Sequence, residues 1–263
     1  MSIEFQQTAS LVIITNKILD NVPVDYGSDH STIQFVKFIQ PPKGAPKDMV
    51  YDDRKLIAQN PMKWLQFLKG KGVTHLRLHY VASMNQLPDR LKGISQQNLG
   101  EWLIEAHHEE SSDVYQIGRN IAGSRFLGFH LLMLTEDGPI IPHTSLSVDI
   151  AYEGLRLTLE KLVDFTERFE YTENWLEIFQ NALDVLEGRE HMSFDGLFPP
   201  EILDEKSRNL LSGAFCCRVF GGMGSWNDLA FPEKDQKTYE TLSSVLYESM
   251  HEAIEAAVNS TCQ

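Results

Sequence analysis

His107-His108-Glu109-Glu110 is the densest run of metal-capable side chains in this sequence. Consecutive residues on a helix point in different directions, and the spacing is not His-Glu-x-x-His, so the run reads as a solvated helix end. His75 and His79 lie four residues apart on an expected strand and share one face. Two imidazoles there could converge on a metal, with the remaining ligands coming from elsewhere. Ser225 follows Gly224, but Gly-Met-Gly-Ser-Trp is not the Gly-x-Ser-x-Gly turn of a nucleophile, and no triad partner is placed by spacing. The glycines at 221, 222 and 224 follow an expected helix, lack a lysine and precede Asp228, which argues against a phosphate cradle. Cys216, Cys217 and Cys262 are too few for a disulfide framework and lack zinc-ligand spacing, so they read as buried small hydrophobes in a reducing compartment. The expectation is no catalytic residue, no metal and no cofactor.

The elements that would position these residues fall into two halves. In the first, Leu11–Thr15, Ile33–Ile39 and Thr74–Val81 read as strands, the last alternating Leu76, Leu78 and Tyr80 against a wet face of His75, Arg77 and His79. Asn60-Pro61 opens a helix with the apolar stripe Trp64, Leu65 and Leu68, closed by Gly70. Asn98 and Glu101 resemble a capping box for a helix carrying Leu99, Trp102 and Leu103, with Ser95 as an earlier cap. Phe126–Leu134 and Leu146–Ala151 read as strands parted by a turn at Asp137-Gly138-Pro139. After Tyr152 the apolar period changes from two to 3.6. Leu155 to Phe169 marks one helix and Trp175 to Leu186 the next, with Asn174 and Glu177 placed as a capping box. A third runs from Pro199-Pro200 to Gly221-Gly222, and a last one follows Pro232 with Tyr239, Leu242, Leu246, Met250 and Ile254 on one face. The expected class is α+β: residues 1–152 form a mixed sheet with flanking helices, and residues 153–263 form an acidic, all-helical domain.

Length and 42% hydrophobic content suffice for one large core or two modest ones. Apolar runs such as Phe126–Leu134 are too short to span a bilayer, and the opening residues do not resemble a secretory signal, so a cytoplasmic protein is expected. The formal charge of −14 is uneven: residues 1–150 hold 14 Lys and Arg against 16 Asp and Glu, residues 151–263 hold 9 against 21. A face this acidic repels phosphate, disfavouring nucleic acid and anionic membrane and favouring a basic protein partner, although acidity for solubility alone explains it as well.

Gly221-Gly222-Met223-Gly224-Ser225-Trp226-Asn227-Asp228-Leu229 specifies a shaped loop, with glycines for unusual backbone, short polar residues to bond it and Trp226 to anchor it. Together with a helix containing Trp175 before it and one containing Tyr247 after it, this run is similar to small bacterial helical proteins with a Gly-Met-Gly-Ser-aromatic-Asn-Asp-Leu signature, over residues 170–258. That signature is associated with immunity proteins encoded beside secreted polymorphic toxins. The layout of an α+β part and an acidic helical part resembles immunity proteins of contact-dependent or type VI systems, some of which neutralise nucleases of restriction-endonuclease fold. The resemblance implies a non-catalytic inhibitor that occludes a basic toxin. Its expected contacts are Asp195, Glu201, Asp204 and Glu205 with apolar anchors at Phe194 and Phe198, although ordinary burial of either phenylalanine is an open alternative. Residues 221–228 are expected to stabilise the helical part. A hydrolase with dispersed acid–base groups, or a regulatory adaptor for another basic protein, are the competing classes.

Overall fold

The computed structural model describes residues 3–24, 37–40, 55–81, 91, 102–118, 130–142, 146–194 and 197–262. The chain divides into two compact units: Ser2–Thr144 with Phe194–Ile202 and Thr261–Gln263, and Ser145–Ser193 with Leu203–Ser260. The class is α+β, with the sheet in the N-terminal half and helices in the C-terminal half. A cut at residue 152 would fall inside a continuous helix, α3 (Val148–Thr166), whose first turn is capped by Ser147 accepting from the Ile150 amide at 3.3 Å.

The sheet unit holds strands β1 (Lys37–Gln40), β2 (Lys55–Ala58), β3 (His75–Tyr80), β4 (Trp102–His107), β5 (Ser112–Gly118) and β6 (His130–Gly138) in the order β2-β1-β6-β5-β4-β3. β3 to β6 form an antiparallel meander, and β1 joins β6 in parallel. Helix α2 (Pro61–Gly70) has the expected limits, with the Asn60 side chain accepting from Lys63 N at 2.9 Å. Its Trp64 meets Tyr115 of β5 edge to face at 5.3 Å.

Three expectations are corrected in this unit. Leu11–Thr15 belongs to a helix, α1 (Ile3–Leu19), buried on every side from Gln7 to Asn16, so its β-branched run satisfies burial rather than strand pairing. Asn16 of α1 pairs the exposed edge of β3, accepting from Leu76 N at 2.7 Å and donating to Leu76 O at 2.9 Å. Trp102 and Leu103 stand in strand β4, not in a helix; both faces of β4 are buried, which erases the alternation that would identify it. The expected caps Ser95, Asn98 and Glu101, like Ile33–Val36 and Phe126–Phe129, lie outside the described residues. The His75–Arg77–His79 face is not wet: His79 is buried, and Leu103 and Val114 from the same side pack with Val81, Leu91 and Ile141.

In the helical unit, α3, α4 (Glu173–Leu186), α5 (Glu205–Cys216) and α6 (Glu233–Asn259) pack in a ring, each on the next and α3 on α6. The residues expected on the apolar face of α6 are buried from Tyr239 to Ile254. Leu146–Ala151 is not a strand, since α3 begins within it. Asn174 and Glu177 make no capping box; α4 starts at Glu173, and Thr172 Oγ1 instead donates to the carbonyls of Thr166 and Phe169, both at 2.7 Å. The expected helix from Pro199 to Gly221 is two pieces. A short 3-10 turn, Pro200–Ile202, is followed by a fresh start at Asp204, and α5 stops at Cys217, before the glycines. α5 comes so close to α4 at Gly213 that a Cβ there would lie 2.9 Å from the Leu186 Cβ.

Candidate functional site

The histidines on β3 do not converge. His75 stacks on His107 of β4, ring centroids 4.4 Å apart, and His79 turns to Glu105. Glu105 Oε2 lies 2.9 Å from His79 Nε2 and 3.0 Å from His107 Nε2, while Oε1 accepts from Ser112 Oγ at 2.5 Å and Ile141 N at 2.7 Å. Burial alone would favour the neutral acid, but the donors of His107 and His79 outweigh it and hold the Glu105 carboxyl well below the usual carboxylate range. A carboxylate with four donors and no exposure has neither a proton to give nor a route to a substrate, so this network organises the sheet. Burial, with His107 and Arg77 nearby, lowers His75 to about 4, leaving its ring neutral at pH 7.

A second polar group gathers where β4, β5 and β6 end beside the C-terminus of α2. Lys71 Nζ is 2.7 Å from Asp113 Oδ2, 3.1 Å from Glu136 Oε1 and 3.8 Å from Asp137 Oδ1. His108 Nε2 is 3.3 Å from Asp113 Oδ2 and 4.0 Å from Asp137 Oδ1. His108 is thus on a turn after β4 rather than at a helix end. Sequence spacing could not find this group, because its members come from two strands, the turn after β4 and a helix terminus.

The glycine-rich loop is built around Trp226, which is fully buried. Its ring lies edge to face against Phe179 of α4 at 5.0 Å and Tyr239 of α6 at 5.2 Å, with Trp175 at 5.7 Å. Trp226 Nε1 donates to Ser243 Oγ at 2.8 Å, and Tyr239 Oη donates to the Trp226 carbonyl at 2.6 Å. Asp228 Oδ2 accepts from Gly224 N at 2.6 Å and Ser225 N at 3.3 Å, and Asn227 Oδ1 accepts from Ser225 Oγ at 2.6 Å and Gly221 N at 3.3 Å. Gly224 has φ +84°, the left-handed region that the turn requires. Ser225 is therefore a loop-bonding hydroxyl. Gly222 and Met223 sit at the solvent side, and Met223 is wholly exposed.

The expected anchors Phe194 and Phe198 are both buried, stacked on each other at 4.6 Å within the sheet unit, so neither can insert into a partner as the protein stands. Leu197 N donates to Phe194 O at 2.8 Å between them. Asp195 lies outside the described residues. Glu201 is exposed on the sheet unit, whereas Asp204 and Glu205 are exposed on the helical unit. Asp204 has a structural task as well, its two oxygens accepting from Ser207 N at 2.9 Å and Ser207 Oγ at 2.6 Å. Partial burial opposes its charge, but the Ser207 bonds hold its carboxyl below the usual range. Cys217 is buried with its thiol pushed up, and burial pushes Cys262 up to about 11, so neither is a ready thiolate.

The acidity concentrates in the helical unit, which carries 20 Asp and Glu against 9 Lys and Arg. On α6, Glu248 and Glu252 lie one turn apart on the exposed side, and partial shielding of the Glu252 carboxyl, together with the Glu248 charge, raises it. Tyr247 is exposed beside them, and its ring meets Phe220 of the loop at 5.2 Å. Among the described residues no helix is long and apolar enough to cross a membrane. Comparison with family models, curated proteins and solved structures returns no match to this chain.

Proposed function

We propose that this protein is a cytoplasmic immunity protein that binds and neutralises a secreted antibacterial toxin by covering its basic surface; the charge favours a nuclease, and the resemblance implies one of restriction-endonuclease fold. The observation that carries the reading is the helical unit's excess of 20 carboxylates over 9 cations, with Glu240, Glu248 and Glu252 all exposed along α6. A nuclease must present a cationic groove to its substrate, and an acidic face meets such a groove quickly through long-range attraction. With Phe194 and Phe198 buried, the apolar contact falls to the exposed Tyr247 and Met223, close in the chain or in space to the Phe220–Tyr247 ring pair. Repulsion between Glu248 and Glu252 is relieved by a partner's Lys or Arg. The loop signature quoted above supports the same class.

The test is co-expression with the toxin encoded beside the gene. Cells survive with this chain and die without it, and the purified pair associates more slowly as salt rises toward physiological strength, where the Debye length is about 8 Å. The double variant Glu248→Lys/Glu252→Lys slows association at low salt and weakens the salt dependence. Toxin killing unaffected by this chain, with no complex at micromolar concentration, refutes the proposal.

A further inference from the structure

The cluster at the end of α2 carries an inference independent of the partner. We propose that His108, Asp113 and Asp137 hold one divalent transition-metal ion of the zinc type, which clamps the β4–β5 hairpin to the end of β6.

The tautomer of His108 is set by a backbone carbonyl. Its Nδ1 is 3.2 Å from the Lys71 carbonyl, which can only accept, so Nδ1 carries the hydrogen. In a neutral ring Nε2 is then a lone pair. That lone pair lies 3.3 Å from Asp113 Oδ2 and 4.0 Å from Asp137 Oδ1, two oxygens that also face the Lys71 ammonium. Among the described residues Nε2 makes no hydrogen bond, and the side chain is only 10% exposed, so water does not relieve the repulsion. A cation between the three atoms does. The arrangement is also the one by which proteins orient a ligating imidazole, the far nitrogen donating to a backbone carbonyl.

Geometry and charge agree. The three donor atoms lie within 4.8 Å of one another. Zinc with bonds of about 2.1 Å sets tetrahedral donors about 3.4 Å apart, a contraction that falls mainly on Asp137, whose side chain is 65% exposed. Asp113 is fully buried and already fixed, its Oδ1 accepting from Asp137 N at 2.9 Å. One ammonium, Lys71, faces three carboxylates, Asp113, Glu136 and Asp137, which leaves two negative charges for a dication to neutralise. Lys71 is the built-in competitor: on metal entry its ammonium withdraws from Asp113 and keeps Glu136. An imidazole with two carboxylates suits zinc better than calcium or magnesium, which prefer oxygen alone.

The experiment is calorimetric titration of the full chain with Zn²⁺, alongside Co²⁺ as a spectroscopic probe of nitrogen and oxygen ligation. One ion per chain is expected, weakened at least about 10-fold by Asp137→Asn and by His108→Gln, and tightened by Lys71→Met, which removes the competing charge. Asp137→Asn keeps a residue suited to the φ of +48° at this position, so its fold is retained and circular dichroism verifies that. Absence of binding to the unaltered chain, or binding that Asp137→Asn and His108→Gln leave unchanged, overturns the proposal.

Discussion

The two units solve the problem of a buried centre in opposite ways. In the sheet unit the centre is a charge, Glu105, stabilised by four directional donors from β3, β4, β5 and the segment after β6. In the helical unit it is a neutral ring, Trp226, held by dispersion from several aromatic neighbours and by two side-chain hydrogen bonds, one from its indole and one to its carbonyl. A directional network is all or nothing, because each donor left without its acceptor stays buried and unsatisfied. An aromatic cluster degrades by degrees, since each missing contact removes only its own share.

Replacing the charge is accordingly expected to be the most damaging change. Glu105→Ala leaves His79, His107, Ser112 and the Ile141 amide without their acceptor and costs roughly 5 kcal/mol, the top of the range for a broken buried pair. Urea unfolding measures it, and a cost below that of Trp226→Ala would break the contrast between the two centres. Trp226→Ala empties the aromatic box for about 3–5 kcal/mol, and Gly224→Val, which meets open space but an unsuitable φ of +84°, for about 1–3 kcal/mol. Unchanged melting temperatures in both would remove the structural role of the loop.

The smallest effect at neutral pH is that of His251 on α6, whose Nδ1 donates to the Tyr247 carbonyl at 2.6 Å. Burial lowers it to about 4 from an ordinary 6.5, against the bond to Tyr247 and with help from Arg218. The unfolded chain therefore binds this proton first: stability is unaffected above pH 6.5 and falls as pH drops from 6.5 to 4, by up to about 3 kcal/mol. In His251→Gln this part of the slope is absent. Unfolding free energies for the two proteins at pH 7, 5.5 and 4 that differ by a constant would show that His251 is not the proton acceptor.

The helical half was legible in sequence because its signal is local. A period of 3.6 from Leu155 onward, Pro232 before α6 and the buried face from Tyr239 to Ile254 need only the chain's own neighbours to be read, and so did Asn60 and Gly70 around α2. The loop's anchoring tryptophan was legible for the same reason, since a large ring among glycines has few other uses. Hidden were the elements buried on all sides. In α1 and β4 both faces are apolar or satisfied, so neither period survives, and composition alone misled. The buried stacking of Phe194 on Phe198 and the meeting of His108, Asp113 and Asp137 depend on turns and strand register rather than on spacing. Sequence by itself determined where charge accumulates and where the amphipathic helices α2 and α6 run. Only tertiary structure decided which polar residues become each other's partners, because the pairing of Glu105 with His79 is made across 26 residues by the register of β3 on β4.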